Sequence, residues 1–235
     1  MSMFEDVWHG LVKDLVQHEH TQERRGFETR EMLNVSRTWD ARSSLLAHEG
    51  RNVSLGFAKA EASAILTGRN DVASLKQHAP SIERFSDNGI VFTGAYGPHW
   101  VAQRQYIIDT LVADEYTRQA VLTIWQPRPS ASVDIPCTVS WQFMVVEERL
   151  DMFICMRSSD VWLGLPYDAF VWACILQSLA IDLGIKMGNI HYHAATCHLY
   201  ARNFESARSV AATDTPAQRW LPSFNNHDSL AAWLK

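Results

Sequence analysis

The chain has 235 residues, of which 47% are hydrophobic and 20% charged, and its formal net charge is −5. This length and composition are typical of one globular domain with a well-buried core. The negative charge argues against general nucleic-acid binding, which needs a broad basic surface. A few arginines in one pocket would still suffice to hold a small anionic ligand.

No stretch approaches the roughly 18 uninterrupted apolar residues of a membrane-spanning helix. The first ten residues include acids and lack the basic-then-apolar pattern of a secretory signal. The cysteines form no Cys-x-x-Cys pair, which is typical of reduced thiols rather than a disulfide framework. These cysteines are Cys137, Cys155, Cys174 and Cys197. We therefore expect a cytoplasmic protein (host cytoplasm if it is phage-encoded) that binds neither a membrane nor a metal.

Three segments of the first half have helical patterns. Phe4–Val16 places its apolar residues on one face of a helix. Gly56–Leu66 is alanine-rich and apolar, and Gly68 follows as its C-terminal stop. His99–Val112 is a further candidate helix.

The second half is richer in strand patterns. Thr138–Val146 and Leu150–Met156, separated by three polar residues, predict two strands joined by a tight turn. Asp168–Leu183 predicts a long helix that Gly184 caps, and Ile190–Tyr200 most resembles a strand. Helices thus precede a strand-rich half with one long buried helix. Since no repeat or linker divides the chain, we predict a single α+β domain over residues 1–235.

One cysteine stands at a junction that suits a nucleophile. Cys137 follows a proline and directly precedes the first predicted strand of the second half. A lone cysteine is usually a small buried hydrophobe. A cysteine at the end of a loop, with an arginine nearby to favour the thiolate, is a better candidate for covalent catalysis. Spacing alone does not decide between the two.

Three further groups of polar residues follow or interrupt apolar segments. Arg157-Ser158-Ser159-Asp160 is either a solvated strand end or a phosphate site built on charge-assisted hydrogen bonds. His198 and Tyr200 share a strand face, because side chains two residues apart point together, so they either pack across the sheet or bind a ligand. Glu61 in an alanine-rich helix is either a surface carboxylate or, facing a pocket, a proton relay.

Taken together, the motifs around Glu61, Cys137, Arg157 and His198 resemble those of the thymidylate synthase family, in the same order along most of the chain. Pro136-Cys137 resembles its nucleophile motif. Residues 157–168 resemble its long substrate motif, in which arginine-serine-x-aspartate precedes a glycine-leucine-proline turn. His198-Leu199-Tyr200 resembles its histidine-x-tyrosine sugar-binding motif.

Three shorter matches are colinear with these motifs. Glu61, seven residues before Gly68, matches the family's catalytic glutamate helix. Tyr96-Gly97-Pro98-His99-Trp100 resembles its tyrosine-glycine-x-x-tryptophan segment. Arg118 matches one of two adjacent arginines that the family donates across its dimer.

The departure at Asp168 concerns the base. Thymidylate synthases carry asparagine here, and a neutral amide serves the carbonyl and N–H edge of uracil. A carboxylic acid or carboxylate instead suits cytosine, which offers an amine donor and a ring-nitrogen acceptor. Each hydrogen bond that a buried base edge fails to make costs about 1–3 kcal/mol of binding free energy, so the residue at position 168 can select the base. Asp168 points to cytosine.

Other departures concern the reaction. Thr138 replaces the histidine that usually follows the nucleophile, and the resulting Cys-Thr pair is similar to that of deoxycytidylate hydroxymethylases. The methionine before Arg157 and the Arg-Pro-Ser stretch at 128–130 are also similar to those enzymes. Gln119 replaces the second interface arginine. Residues 230–235 lack the usual closing tail, which fits an enzyme that admits water.

The resemblance implies a fold, an activity and partners. It implies a large mixed sheet covered by helices, with one sheet face forming a homodimer interface. It implies a folate-dependent hydroxymethyltransferase that converts CMP or dCMP, with 5,10-methylenetetrahydrofolate as co-substrate, through an adduct on Cys137. The implied catalytic residues are Cys137, Glu61, Asp168 and Tyr96. The implied nucleotide-binding residues are Arg157, Ser158, Asp160, His198, Tyr200, Arg25, and Arg118 donated across the interface.

Three alternatives stay open. A cytidylate methyltransferase would retain hydride transfer, and an ordinary thymidylate synthase would need Asp168 to accept uracil. A non-enzymatic nucleotide-binding or RNA-binding relative is disfavoured, because Cys137, Glu61 and Arg157 are all present.

Overall fold

The computed structural model describes residues 2–18, 21–24, 26–127, 132–214 and 219–235. The helices are α1 Phe4–Gln17, α2 Leu55–Leu66, α3 Ala73–Lys76, α4 Tyr96–Ala113, α5 Leu165–Leu183, α6 Phe204–Ala211 and α7 His227–Leu234. The strands are β1 Thr21–Arg24, β2 Phe27–Asp40, β3 Val121–Thr123, β4 Thr138–Val146, β5 Arg149–Met156, β6 Ser159–Asp160 and β7 Lys186–Tyr200. None of the helices described is long and apolar enough to cross a membrane.

The strands form one mixed sheet in the order β1-β2-β7-β5-β4-β3, and the short β6 pairs with β7. β5 and β6 run parallel to β7, whereas the other neighbours are antiparallel. The parallel pair follows from the connection, because α5 carries the chain back across the sheet between β5 and β7. The sheet and its helices confirm the predicted α+β class.

The predicted hairpin between β4 and β5 is confirmed. Glu147 and Glu148 occupy its turn with φ values of 49° and 62°. Two successive residues with positive φ form the turn whose twist matches a two-stranded antiparallel ribbon. The hairpin places the start of β4 and the end of β5 side by side, with Thr138 opposite Met156.

The expectation that helices fill the first half of the chain is wrong, because β2 is a 14-residue strand beside β7. Its sequence is rich in charged residues, and much of it is exposed or half-buried, so apolar alternation is weak. Asn34, with φ 55°, is not paired in the ladder, but Leu33 and Val35 on either side of it keep the same register with β7.

Helix α5 forms the centre of the core. It begins at Leu165, three residues before the predicted start, since Pro166 is well suited to a first helical turn. It ends as predicted at Gly184, whose φ of 66° is left-handed. Most of its side chains are buried, including Trp172, which packs against the sheet. Asp168 lies in the first turn of this helix, where the side chain is half-buried.

Candidate active site

A cavity of about 400 Å³ opens between α2, the start of α4, the loop before β4 and the first turn of α5. Its lining includes six of the predicted site residues: Glu61, Tyr96, Cys137, Arg157, Asp168 and Tyr200. These residues come from six separate parts of the chain. The fold therefore brings together most of the catalytic set that the motifs indicate.

The thiol of Cys137 lies next to a guanidinium. Arg157 Nη2 is 3.8 Å from Cys137 Sγ, and the Arg157 backbone N–H donates to the Cys137 carbonyl at 2.9 Å. The Arg157 side chain also donates to the carbonyls of Ile135 and Pro136, both at 2.9 Å. A cation at this distance stabilises negative charge on the half-buried sulfur, which is the nucleophilic form.

Glu61 is supplied by α2, which Ser54 caps by accepting from the backbone N–H of Phe57. Burial raises the pKa of Glu61 to about 7. A carboxyl with a pKa near 7 exchanges protons readily at neutral pH, as a general acid or base must. The helix therefore presents a group suited to proton transfer in the cavity.

Asp168 is a second carboxyl that favours its neutral form. Burial raises its pKa well above the usual range, and the charges of Glu61 and Asp160 raise it further. A protonated carboxyl presents one donor and one acceptor, so it can form two hydrogen bonds with the edge of a base. Tyr96 lies nearby: its hydroxyl accepts from the Thr138 N–H at 3.3 Å, and burial, then the charge of Asp168, raise its pKa.

The histidine and tyrosine at the end of β7 form one unit. The rings of His198 and Tyr200 meet edge to face with centroids 4.9 Å apart. Ser158 Oγ lies 3.5 Å from His198 Nδ1. Burial lowers the pKa of His198, so the imidazole is neutral near pH 7 and can accept as well as donate a hydrogen bond. Of this unit, Tyr200 lines the cavity.

Asp160 and Arg118, like Ser158 and His198, are not among the residues that line the cavity. Asp160 Oδ1 accepts from the backbone N–H groups of Trp162 and Leu163, both at 2.9 Å, and so shapes the turn into α5. Arg118 is exposed, just before β3. Arg25 and residues 128–130 lie outside the described residues. Their substrate-binding roles stay predictions.

Sequence reasoning missed the contact that fixes the loop before Cys137. Asp134 Oδ2 accepts from the Gly94 N–H at 2.7 Å, and both residues line the cavity. A Cβ on Gly94 would lie 2.6 Å from the Asp134 carbonyl oxygen, so the two segments approach closely only because residue 94 is glycine. The motif Asp134-Ile135-Pro136 gives no local sign of this contact, which joins residues 40 positions apart.

It also missed an apolar wall. The side chains that form it are Leu75, Ile82, Phe85, Phe92 and Ile135. They line the same cavity as Glu61 and Asp168 and give it apolar surface suited to a flat ring. The described residues contain no group of three or more His, Cys, Asp or Glu that could hold a metal.

A thiol beside a guanidinium, in a partly apolar cavity that two protonatable carboxyls also line, defines a site suited to covalent catalysis on a planar ligand. The chain belongs to the thymidylate synthase family, whose model matches residues 6–227. This confirms the resemblance inferred from the motifs.

The chain is also similar to a deoxyuridylate hydroxymethyltransferase of Bacillus phage SP01, at 28% identity over 176 residues. The match covers 66% of this chain and 46% of the relative, so the chain spans about half the length of the curated relative it matches.

Proposed function

We propose that the protein is a pyrimidine nucleotide 5-hydroxymethylase that converts CMP or dCMP, methylenetetrahydrofolate and water to the 5-hydroxymethyl nucleotide and tetrahydrofolate. The observation that carries the proposal is the cavity that Cys137 and its neighbour Arg157 line together with Glu61 and Asp168. Family membership and similarity to a hydroxymethyltransferase support a folate-dependent one-carbon transfer.

Each step of the reaction has a residue suited to it. The Cys137 thiolate adds to carbon 6 of the pyrimidine, and the displaced electron pair makes carbon 5 nucleophilic. Carbon 5 bonds to the methylene carbon that the folate supplies. Loss of the carbon 5 proton and of tetrahydrofolate then leaves an exocyclic methylene. Water adds to this methylene as Cys137 departs, and Glu61 relays the protons.

The nucleotide and the folate would occupy different parts of the cavity. Arg157 has N–H groups beyond those bonded to Ile135 and Pro136, and these would hold the phosphate together with the partner's arginine. The His198–Tyr200 unit would hold the sugar. The apolar wall fits the flat ring of the folate co-substrate that the family uses.

Asp168 supports cytosine as the base. Its carbonyl oxygen would accept from the cytosine amine, while the proton held by its raised pKa would be shared with the ring nitrogen. A uridylate nucleotide is the second candidate, because the phage relative is named for deoxyuridylate and a neutral carboxyl can also pair with uracil. Methyl transfer is the remaining alternative, and the mass of the product formed from CMP, dCMP or dUMP separates the three.

Replacement of Asp168 by asparagine tests the base. We expect Asp168→Asn to shift preference from cytidylate towards uridylate, because the amide suits the carbonyl and N–H edge of uracil and, unlike the carboxyl, cannot transfer a proton to the cytosine ring nitrogen. One buried hydrogen bond is worth roughly 1–3 kcal/mol, so the ratio of kcat/KM values should move by about tenfold to a hundredfold. The product should stay hydroxymethylated. A wild-type preference for dUMP, or an unchanged ratio in the variant, would refute the assignment of cytosine.

The homodimer gives a separate prediction. Arg118 is exposed and lies outside the cavity of its own chain, as a residue donated to a partner must. Arg118→Ala should weaken nucleotide binding by about tenfold through loss of a charge-assisted contact. Mixing it with Cys137→Ser should restore about a quarter of the wild-type activity, since half of the dimers are hybrids with one complete site. A monomer in solution, or no rescue on mixing, would contradict the shared site.

The predicted cytoplasmic location stays a prediction.

A further inference from the structure

A second cavity, of about 540 Å³, lies at the far end of α5 from the catalytic cavity. Asp168 in the first turn of α5 lines the catalytic cavity, and Gly184, the C-cap of the same helix, lines the second. Gly184 comes 16 residues after Asp168, which is roughly 24 Å along a helix axis. The two cavities share no lining residue, and the second is within the usual size range of small-molecule sites.

Three cations line the second cavity, and its lining includes no acid among the residues that the structure describes. The cations are Arg42, Arg149 and Lys186. Arg42 is paired with Asp40, to which its Nε and Nη2 donate at 3.0 and 2.6 Å. The charge of Arg149 also acts on Asp40, but neither Arg149 nor Lys186 forms an ion pair with a described residue. The lining is therefore positive in a chain whose net charge is −5.

The sheet holds two of these cations side by side. Arg149 and Lys186 are the first residues of β5 and β7, and they are direct partners in the parallel pairing of the two strands. Like charges at paired positions of neighbouring strands destabilise a sheet. An anion bound at both side chains would replace this repulsion with two charge-assisted contacts. The pairing therefore points to an anionic ligand.

The lining also has a neutral part, to which α5 contributes. Gln177 is 5% exposed, and its amide forms one hydrogen bond with the described residues, a long one of 3.4 Å to the Pro222 carbonyl. An amide offers a donor and an acceptor, which is the pattern that the edge of a nucleobase matches. The apolar residues of the lining are Ala180, Ile181, Ile185, Met187, Leu221 and Phe224. The negative end of the α5 dipole disfavours an anion at the helix, so the anionic group belongs at the strand ends.

We propose that this cavity binds a nucleoside polyphosphate, with its phosphates at Arg149, Lys186 and Arg42 and its base at Gln177 and the apolar lining. Asp40 takes Nε and Nη2 of Arg42, so Nη1 is left for a phosphate oxygen. Three cations suit a ligand with several negative charges better than a monophosphate. This ligand is additional to the nucleotide and folate of the proposed reaction, and the inference does not depend on that reaction.

Titration calorimetry with ATP, GTP, CTP and UTP tests the proposal. We expect at least one of them to bind, and we expect Arg149→Gln and Lys186→Gln each to weaken that binding by about tenfold through loss of a charge-assisted contact. Both variants should bind CMP, dCMP and dUMP as the wild type does, because the catalytic cavity is untouched. Arg157→Gln should have the reverse effect. Inorganic triphosphate should bind more weakly than the best nucleotide, since it has no base.

Arg208→Gln serves as the control, because Arg208 is exposed on α6 and lines neither cavity. Without ligand, Lys186→Gln should melt at the wild-type temperature or above it, since the substitution removes a repulsion. Lys186 is exposed, so this variant carries the test if Arg149→Gln does not fold.

Three results would overturn the inference. The first is that none of the four nucleotides binds, or that binding is lost in Arg157→Gln alone. The second is that Lys186→Gln binds the nucleotide as tightly as the wild type but melts at a lower temperature, which would assign the cation a structural role. The third is that inorganic triphosphate binds as tightly as the nucleotide, which would exclude recognition of a base.

Discussion

Cys137→Ser is expected to abolish turnover while leaving nucleotide binding largely intact. A serine hydroxyl is a far poorer nucleophile than a thiolate near neutral pH, so we expect kcat to fall by about a thousandfold or more. Arg157, 3.8 Å from the sulfur, would stabilise the thiolate of the wild type but cannot ionise an alcohol at this pH. Product formation measured by mass spectrometry, with nucleotide affinity measured separately, tests both parts.

Cys155→Ser is the matched control, because Cys155 is also half-buried but lies on β5 outside the cavity lining. It should retain activity. Cys174 and Cys197 are fully buried in the core, so their replacement should lower stability and leave the chemistry unchanged. More than a trace of turnover in Cys137→Ser would exclude the covalent role.

The second large effect is expected for Glu61→Gln. An amide keeps the shape of the side chain but cannot exchange a proton. General acid–base catalysis contributes about 10²- to 10⁴-fold, so we expect kcat to fall by about a hundredfold or more with nucleotide affinity nearly unchanged. In the wild type, kcat/KM should change with pH around the pKa of about 7, and this feature should be absent from the variant. A variant that retains wild-type turnover would remove Glu61 from the mechanism.

Glu61 should also make stability depend on pH. Its pKa rises from an ordinary value of 4.5 to about 7 on folding, so the folded chain binds the proton more tightly than the unfolded one. The stabilising effect of this proton is complete below pH 4.5 and is lost as the pH rises through 7. Between pH 5 and 8 the wild type should therefore lose on the order of 2 kcal/mol of unfolding free energy relative to Glu61→Gln. Denaturant unfolding at the two pH values measures this difference, and equal pH dependence in both proteins would contradict the buried position.

The candidate catalytic residues could be named before any fold was known. Cys137, Glu61 and Arg157 belong to colinear motifs, and a local motif is visible in the sequence wherever its parts lie in the structure. The long helix α5 and the β4–β5 hairpin were predictable for a similar reason. Their signals are local: a continuous apolar run that ends at Gly184, and two apolar segments around a polar turn.

The tertiary structure decided what depends on distant contacts. β2 is a strand because it pairs with β7, between 149 and 171 positions later, not because its own residues alternate cleanly. Likewise Asp134 holds Gly94, and the charge of Glu61 helps to keep a proton on Asp168, although nothing in the local sequence marks either pair. The sequence by itself determined which side chains are present to react. Their protonation states and mutual approach were decided by burial and by neighbours from other parts of the chain, because desolvation and charge act through space and not along the sequence.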